Sequence, residues 1–506
     1  MISVAYISSS FFLRGSERLK EFFRNNKIDV FVIAFLALFS PLFFYNLGGT
    51  SLVDFDEAWW AEVARNILVR KDPFVLFFND SPIFFHPPFG YSLIALSQLI
   101  FGVGEFASRF PSALLGLGSV ILTYLIGKNL FNRIVGVTGS LMLVSSVWFI
   151  LRARSGNLDA IFVFMFLLTI YLFIKSQKNP LFLYMSAISF SLLFMTKTFI
   201  GVAVLVPIAA YQLLNLKKTR VNIFNLVLAI FLAVYMLIPW FFANYIIYGS
   251  SFMHSLFANA VKPGRQFLPD LLNLHETKTL FYLHSGIREW YYPAIIALIG
   301  SIFFIRRSPN ILVLYAWIVP LLVAFSINKD TEIWHLLPLY PAIGLLIGFF
   351  LNEFLNYLLF NIKNIKFLKD FRKSLNLIGK SCVVLITLLL CTKQIYEFRN
   401  EVNLFGHSTT GLAFTAKAAR YVDGELYLDN EHFLPSAVFY SQKKVIHMRS
   451  LESPRNILRG FVECAPRASL VITEDWRLKA DEVLQSKYQE LAKHQGYVLI
   501  RAGKPE

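Results

Sequence analysis

Residues 54–65 read DFDEAWWAEVAR and stand directly behind the first long apolar segment. The acids Asp54, Asp56 and Glu57 fall where a membrane-embedded chain meets water, so their reading decides the rest. They suit a base or a cation ligand. Trp59, Trp60, Val63 and Ile67 recur at helical spacing and give a helix one apolar side, as in a helix lying flat on a bilayer. The same residues fit a plain helix start, with Asp54 as cap, Glu57 closing a capping box and the tryptophans as interfacial anchors.

Of the 506 residues 56% are apolar and 16% charged, and the apolar residues come in long runs. That is a polytopic membrane protein, mainly α-helical, since crossing ~30 Å of hydrocarbon takes about 20 apolar residues per helix. The net charge of +16 comes largely from Lys and Arg between the runs, which fits a positive-inside bias and anionic headgroups rather than nucleic acid. Arg14, Arg18, Lys20, Arg24 and Lys27 precede the first span, Ile28 to Leu47, which is expected to stay as an anchor with the N-terminus cytoplasmic. Cys382, Cys391 and Cys464 suggest neither a disulfide framework nor a metal spacing.

The loop up to Pro88 is too polar to span, and the apolar stretch from Phe89 to Val103 is short, so we read it as interfacial or re-entrant. With the first span, crossings at 111–127, 135–151, 160–174, 181–195, 199–214, 224–242, 292–305, 311–327, 335–351 and 375–390 make about eleven in all. Each turn on one side is basic: Lys128 and Arg133, Lys175 and Lys178, Lys217 to Arg220, Arg306 and Arg307. The expected division is a membrane domain at 1–392 and a soluble extracytoplasmic α/β domain at 393–506. In the latter GELYLDN, KKVIHM, SLVITE and GYVLIRAG read as strands, and PSAVFYSQ and ADEVLQSKYQELAKH as helices.

This topology gathers Asp56, Glu57, His86, Arg109, Arg152, Arg154, Asp159, Lys197, Arg265, Lys329 and His335 on the other side. Ionisable groups at the rim of membrane helices are costly unless paired or used. Cations around an acid suit a phosphate-bearing substrate held beside a group that takes a proton. Blander readings stand beside these: Asp159 pairing with Arg154, Arg109 as a snorkelling anchor, His86 as a turn residue. Asp270, His275, Glu276 and His284 match no standard zinc spacing.

DEAWWAEVARNIL, HPPFGYSLIALSQLIFGVGEFASRFPSALLG, RSGNLDA, TKTFIG and WHLLPLYPAIGLLIG follow one another between Asp56 and Gly348. In that order they resemble the GT-C glycosyltransferases of the protein O-mannosyltransferase and lipid A aminoarabinose transferase superfamily. The resemblance implies an enzyme that moves a sugar from a polyprenyl phosphate to an acceptor: lipid A, another glycolipid or polysaccharide, or a protein. It implies Asp56 as general base with Glu57 beside it, Asp159 as the acid of the second outer loop, and Lys197 at the donor phosphate. His86, Arg109, Arg265 and His335 are the further substrate-binding candidates, and a divalent cation is optional. His86 stands where the aminoarabinose enzymes usually have a lysine, and His335 where they tend to have a tyrosine, so sugar and acceptor stay open. The rivals are a transporter or flippase for lipid-linked sugars, with polar broken segments and repeated halves, and a non-catalytic sugar-lipid binder.

Overall fold

A segment in hydrocarbon satisfies its own backbone only as a helix or a closed barrel, and long apolar runs here become helices. The computed structural model describes residues 26–216, 222–260, 278–328, 331–362, 372–404, 410–448, 469–480 and 487–502. Among the described residues, those up to Leu42 form a unit of their own with Lys27–Ala37 (α1), and Ser40–Phe44 (α2) straddles its end.

The second unit opens with Ala58–Arg70 (α3), a ladder of Leu76–Phe78 (β1) against Ser81–Ile83 (β2), and Phe89–Phe101 (α4). Glu105–Leu130 (α5), Arg133–Val144 (α6), Val147–Ala153 (α7), Asp159–Ser176 (α8), Leu181–Lys197 (α9), Leu205–Leu214 (α10) and Ile223–Ala260 (α11) follow. Thr279–Ile287 (α12), Tyr291–Gly300 (α13), Ile311–Ile327 (α14), Tyr340–Ile362 (α15) and Arg372–Leu404 (α16) complete the bundle. Close packing needs small residues: a Cβ on Gly344 would fall 2.8 Å from the Gly139 carbonyl oxygen, and one on Gly136 2.5 Å from that of Tyr124.

Among the described residues seven helical stretches are long and apolar enough to cross a membrane, or eight if one bent pair counts as a span. The stretch Leu181–Leu214 is two crossings rather than one. Lys197 pairs with Asp159 at the start of α8, whereas Gln212 meets Gln177, just past its end, at 3.4 Å. The chain therefore reverses at Thr198, where φ is 10°. Shorter α14 also runs from one side to the other: Asn310 donates to the Leu130 carbonyl at 3.0 Å at one end, and Phe325 lies around one cleft with Asp159 and Lys197 at the other. Helix α4 does not cross. Tyr91 lies 5.3 Å from the Trp60 ring at one end, and Gln98 donates to the Ala61 carbonyl at 3.0 Å towards the other, so both its ends stay beside α3.

Four expectations need correction. The span read as 135–151 is broken, with α6 and α7 meeting at 70°. Ser145 and Ser146 turn their hydroxyls onto the Leu141 and Met142 carbonyls at 2.8 Å, which loosens the helix there, and Gln394 donates to the Ser145 carbonyl at 2.7 Å. Helix α11 bends at Gly249 (φ 54°), bringing Phe252 back onto Trp240 at 5.3 Å. The tryptophans of α3 are packed in protein: Trp59 stacks on Phe78 at 3.8 Å, and Trp60 lies 5.3 Å from Tyr91. Finally, Tyr488–His494 (β6), read as helix, is a strand. It turns through Gln495 and Gly496, both with positive φ, into Tyr497–Ala502 (β7), the turn that suits a tight hairpin.

Helix α16 runs unbroken past residue 393, and after it come Thr410–Ala419 (α17), Leu426–Leu428 (β3), Leu434–Ser441 (α18), Val445–His447 (β4), Leu470–Glu474 (β5) and Asp475–Lys479 (α19). The sheet order is β4-β3-β5-β7-β6, parallel across β4, β3 and β5 and antiparallel beyond. One apolar core joins this layer to the bundle: Ala61, Val63, Ile94 and Leu158 cluster with Leu412, Val438, Leu470 and Leu499.

Candidate active site

Asp56 and Glu57 are neighbours whose side chains go to different places. Glu57 is fully buried and accepts from Arg109 Nε at 2.8 Å and Nη2 at 2.7 Å, from Gly156 N at 2.7 Å and from Val53 N at 2.9 Å. Arg109 spends its remaining donors on the carbonyls of Leu47, Thr50 and Ser51. Burial alone would raise the Glu57 carboxyl, but the Arg109 charge and these hydrogen bonds outweigh it and hold it below its usual range. The pair is closed and saturated. It ties the first loop to α5 and to the turn before α8, which differs from the expectation of a second catalytic acid in Glu57 and a substrate contact in Arg109.

Asp56 keeps 38% of its side chain open and accepts from Arg152 Nη1 at 2.7 Å. The same guanidinium donates through Nε to Asp159 Oδ2 at 2.6 Å, and the other Asp159 oxygen is taken by Lys197 Nζ. The result is an alternating line of charge, Asp56, Arg152, Asp159, Lys197. Local structure favours each member. Asp159 opens α8, where its N–H donates to Asn157 Oδ1 at 2.8 Å, while Arg152 and Lys197 lie in the last turns of α7 and α9. Acids at helix starts and cations at helix ends complement the backbone dipole. The break before α7 re-aims that helix and so places Arg152 between the carboxylates. The Trp334 ring covers Arg152 at 4.6 Å.

Lys197, Asp159, Trp334 and His335 line one cleft of about 300 Å³ with Phe162, Ile200, Phe325, Leu337 and Pro338. Its charged rim and apolar walls fit an anion on an apolar stem. His335 Nδ1 accepts the Glu332 N–H at 3.0 Å, which leaves Nε2 as its second hydrogen-bonding position. His86 lies 5.4 Å from the Trp60 ring, and its buried Nδ1 has no partner among the described residues. Burial, then the charge of Lys197, pushes the His86 ring down to about 3, so at neutral pH it offers a hydrogen bond and no charge.

The structure thus brings together Asp56, Asp159, Lys197, His86 and His335 and sets Glu57 with Arg109 apart as a clamp. Arg265, Lys329, Asp270, His275 and Glu276 lie outside the described residues. Among the described residues no three His, Cys, Asp or Glu gather as a metal site. Sequence reasoning noted Arg152 but gave it no role, and it did not single out Trp334. The signal for Arg152 was present in RARSGNLDA, a cation seven residues before an acid at a helix junction.

Residues 85–241 match the family described as Dolichyl-phosphate-mannose-protein mannosyltransferase. An uncharacterised protein of Aquifex aeolicus is 26% identical over 319 residues, 62% of either chain. The undecaprenyl phosphate-alpha-4-amino-4-deoxy-L-arabinose arabinosyl transferase 2 of Proteus mirabilis is 27% identical over 64% of this chain and 60% of its own length. The matched region thus spans about three-fifths of each of these relatives. The crystal structure of ArnT from Cupriavidus metallidurans bound to undecaprenyl phosphate superposes with a TM-score of 0.70 at 15% identity, covering 95% of this chain and all of that one. The protein is a multi-pass membrane protein with the GT-C fold. In sequence over part of its length and in fold over nearly all of it, the chain is similar to the ArnT-like proteins.

Proposed function

We propose that the protein is a glycosyltransferase that moves a sugar from a polyprenyl phosphate to an acceptor on the outer face of the inner membrane. Basic turns at the end remote from Asp56 support a cytoplasmic placement of that end. The membrane domain expected at 1–392 would be the catalytic one and the layer expected at 393–506 the extracytoplasmic one, with the boundary shifted to the end of α16 at Leu404. The observation that carries the reading is the line from Asp56 to Lys197, with its acid end open to solvent and its cation end on an apolar-walled cleft.

The donor phosphate sits at Lys197, with His335 and His86 as neutral hydrogen-bond partners and the lipid tail along the apolar wall. Asp56, held by Arg152, takes the proton of the acceptor hydroxyl or phosphate. The acceptor oxygen bonds to the anomeric carbon from the side opposite the phosphate, the carbon–oxygen bond to phosphate breaks, and the lipid phosphate leaves with both electrons. Inversion follows. Arg152 and Asp159 keep the two ends of the line in register, and such positioning can contribute several kcal/mol to the barrier, roughly 7–11 at best. A good leaving group makes a divalent cation optional.

The activity named for the Proteus mirabilis relative makes undecaprenyl phosphate carrying 4-amino-4-deoxy-L-arabinose one donor to try. Lipid A, another glycolipid or polysaccharide, and protein are the acceptors to test. Membranes holding wild type or Asp56→Asn are given a panel of radiolabelled polyprenyl-phosphate sugars. Product with wild type alone, at matched expression and donor binding, is the expected result. Equal product from both removes Asp56 as base, and lipid movement without product supports a transporter.

A further inference from the structure

The mechanism above gives the C-terminal α/β layer no work, yet that layer grips the loop carrying Asp56. Ser51 Oγ lies 3.4 Å from Thr410 Oγ1, and the Leu52 N–H donates to Tyr440 Oη at 2.6 Å. Asp54, only 6% exposed, faces Ser436 and His432, and its Oδ1 has no partner among the described residues. Phe55 lies between two rings, Trp59 at 5.9 Å and His432 at 6.4 Å, with interplanar angles of 17° and 23°.

The part of the layer in contact is the one where open α/β sheets take up ligands, outside the carboxyl ends of parallel strands at a switch in strand order. Here β3 leads to β4 on one side, while β5 lies on its other side. His432 and Ser436 follow β3, and Tyr497, which also senses the Asp54 charge, pairs with Glu474 at the end of β5. Asp54 of the chain's own loop enters that crevice, and Phe55, 56% exposed, lies across its mouth on the His432 ring. Phe55 is held with φ at 43°, a left-handed conformation that a bulky side chain avoids when free. Relaxing it would swing the next residue, Asp56.

We propose that the α/β layer is a positioning element of the transfer reaction: its edge at His432 and Ser436 takes up Asp54 and Phe55 and thereby keeps Asp56 on Arg152. This rests on Asp56 being the base.

The test uses the full-length protein in lipid nanodiscs, comparing wild type, His432→Ala and His432→Phe. His432 is exposed, so its removal leaves the core intact. Three quantities are read: hydrogen exchange of the 52–58 amides, kcat at saturating donor, and equilibrium binding of undecaprenyl phosphate. His432→Ala is expected to speed exchange at Glu57 and Ala58, whose N–H groups donate to the Val53 carbonyl. It should also lower kcat about tenfold, since small misplacements at a reacting centre cost about that much or more. Carrier binding should hold within about twofold, and His432→Phe should restore both exchange and kcat. Unchanged exchange in His432→Ala overturns the proposal, as does faster exchange with full kcat. A loss of carrier binding equal to the loss of kcat also overturns it, by marking general loosening. If wild type transfers from no carrier while the exchange difference persists, the transfer reading fails and the grip on the loop stands alone.

Discussion

Two arginine–carboxylate pairs stand side by side and behave as opposites. Glu57 with Arg109 is sealed: the carboxylate is fully buried and every donor of the guanidinium is matched. Asp56 with Arg152 is open at one end and runs on through Asp159 to Lys197 at the other. A saturated pair has nothing left to give a substrate, whereas an open line can take a proton at one end and an anion at the other. Under the proposed function, burial and hydrogen-bond saturation, more than residue type, separate the sealed acid Glu57 from the proposed base Asp56.

Breaking the sealed pair should have the largest effect, and on folding. Arg109→Met leaves Glu57 buried without its cation, a change that costs about 3–5 kcal/mol; thermal unfolding in detergent should show the loss, and an unchanged Tm would refute the clamp. Breaking the open line should act on function. Lys197→Met is expected to weaken undecaprenyl phosphate binding about a hundredfold, read by equilibrium binding, with Tm little changed, because charge-assisted bonds to phosphate are the strong ones. Arg152→Lys should lower kcat about tenfold, since one ammonium cannot fork onto Asp56 and Asp159 together; equal kcat would mean that only the charge matters.

The smallest expected effect sharpens the boundary with the α/β layer. Burial raises Asp54 to about 6, above the ordinary carboxyl range, with Ser436 and His432 pulling the other way. A raised acid contributes stability that is fully present below its unfolded pKa and is lost as pH rises through about 6. Asp54→Asn should therefore match wild type near pH 4 and exceed it in Tm by on the order of 1–2 °C at pH 8. A constant difference across that range would take Asp54 out of the account.

Much of this was legible in the sequence. Apolar runs marked most of the long helices, including the reversal at Thr198 that hydropathy alone would merge. That Asp56, Asp159 and Lys197 come together was legible because charged residues at helix ends in a membrane chain are costly unless paired or used. What was not legible depends on contacts across distant sequence. Glu57 and Asp56 look alike until Arg109 and Arg152 arrive from different helices. Trp59 and Trp60 read as lipid anchors until β1 and α4 cover them. The segment YQELAKH carries helix formers, and only its hairpin turn and pairing with β7 make it a strand.

The most direct measurement compares Asp56→Asn with Glu57→Gln in one preparation, reading sugar transfer from polyprenyl phosphate and thermal unfolding together. Asp56→Asn is expected to lose transfer by about 10²–10⁴-fold at unchanged Tm, whereas Glu57→Gln lowers Tm and leaves the remaining folded protein active. The reverse pattern, or equal transfer by both, would contradict Asp56 as the base.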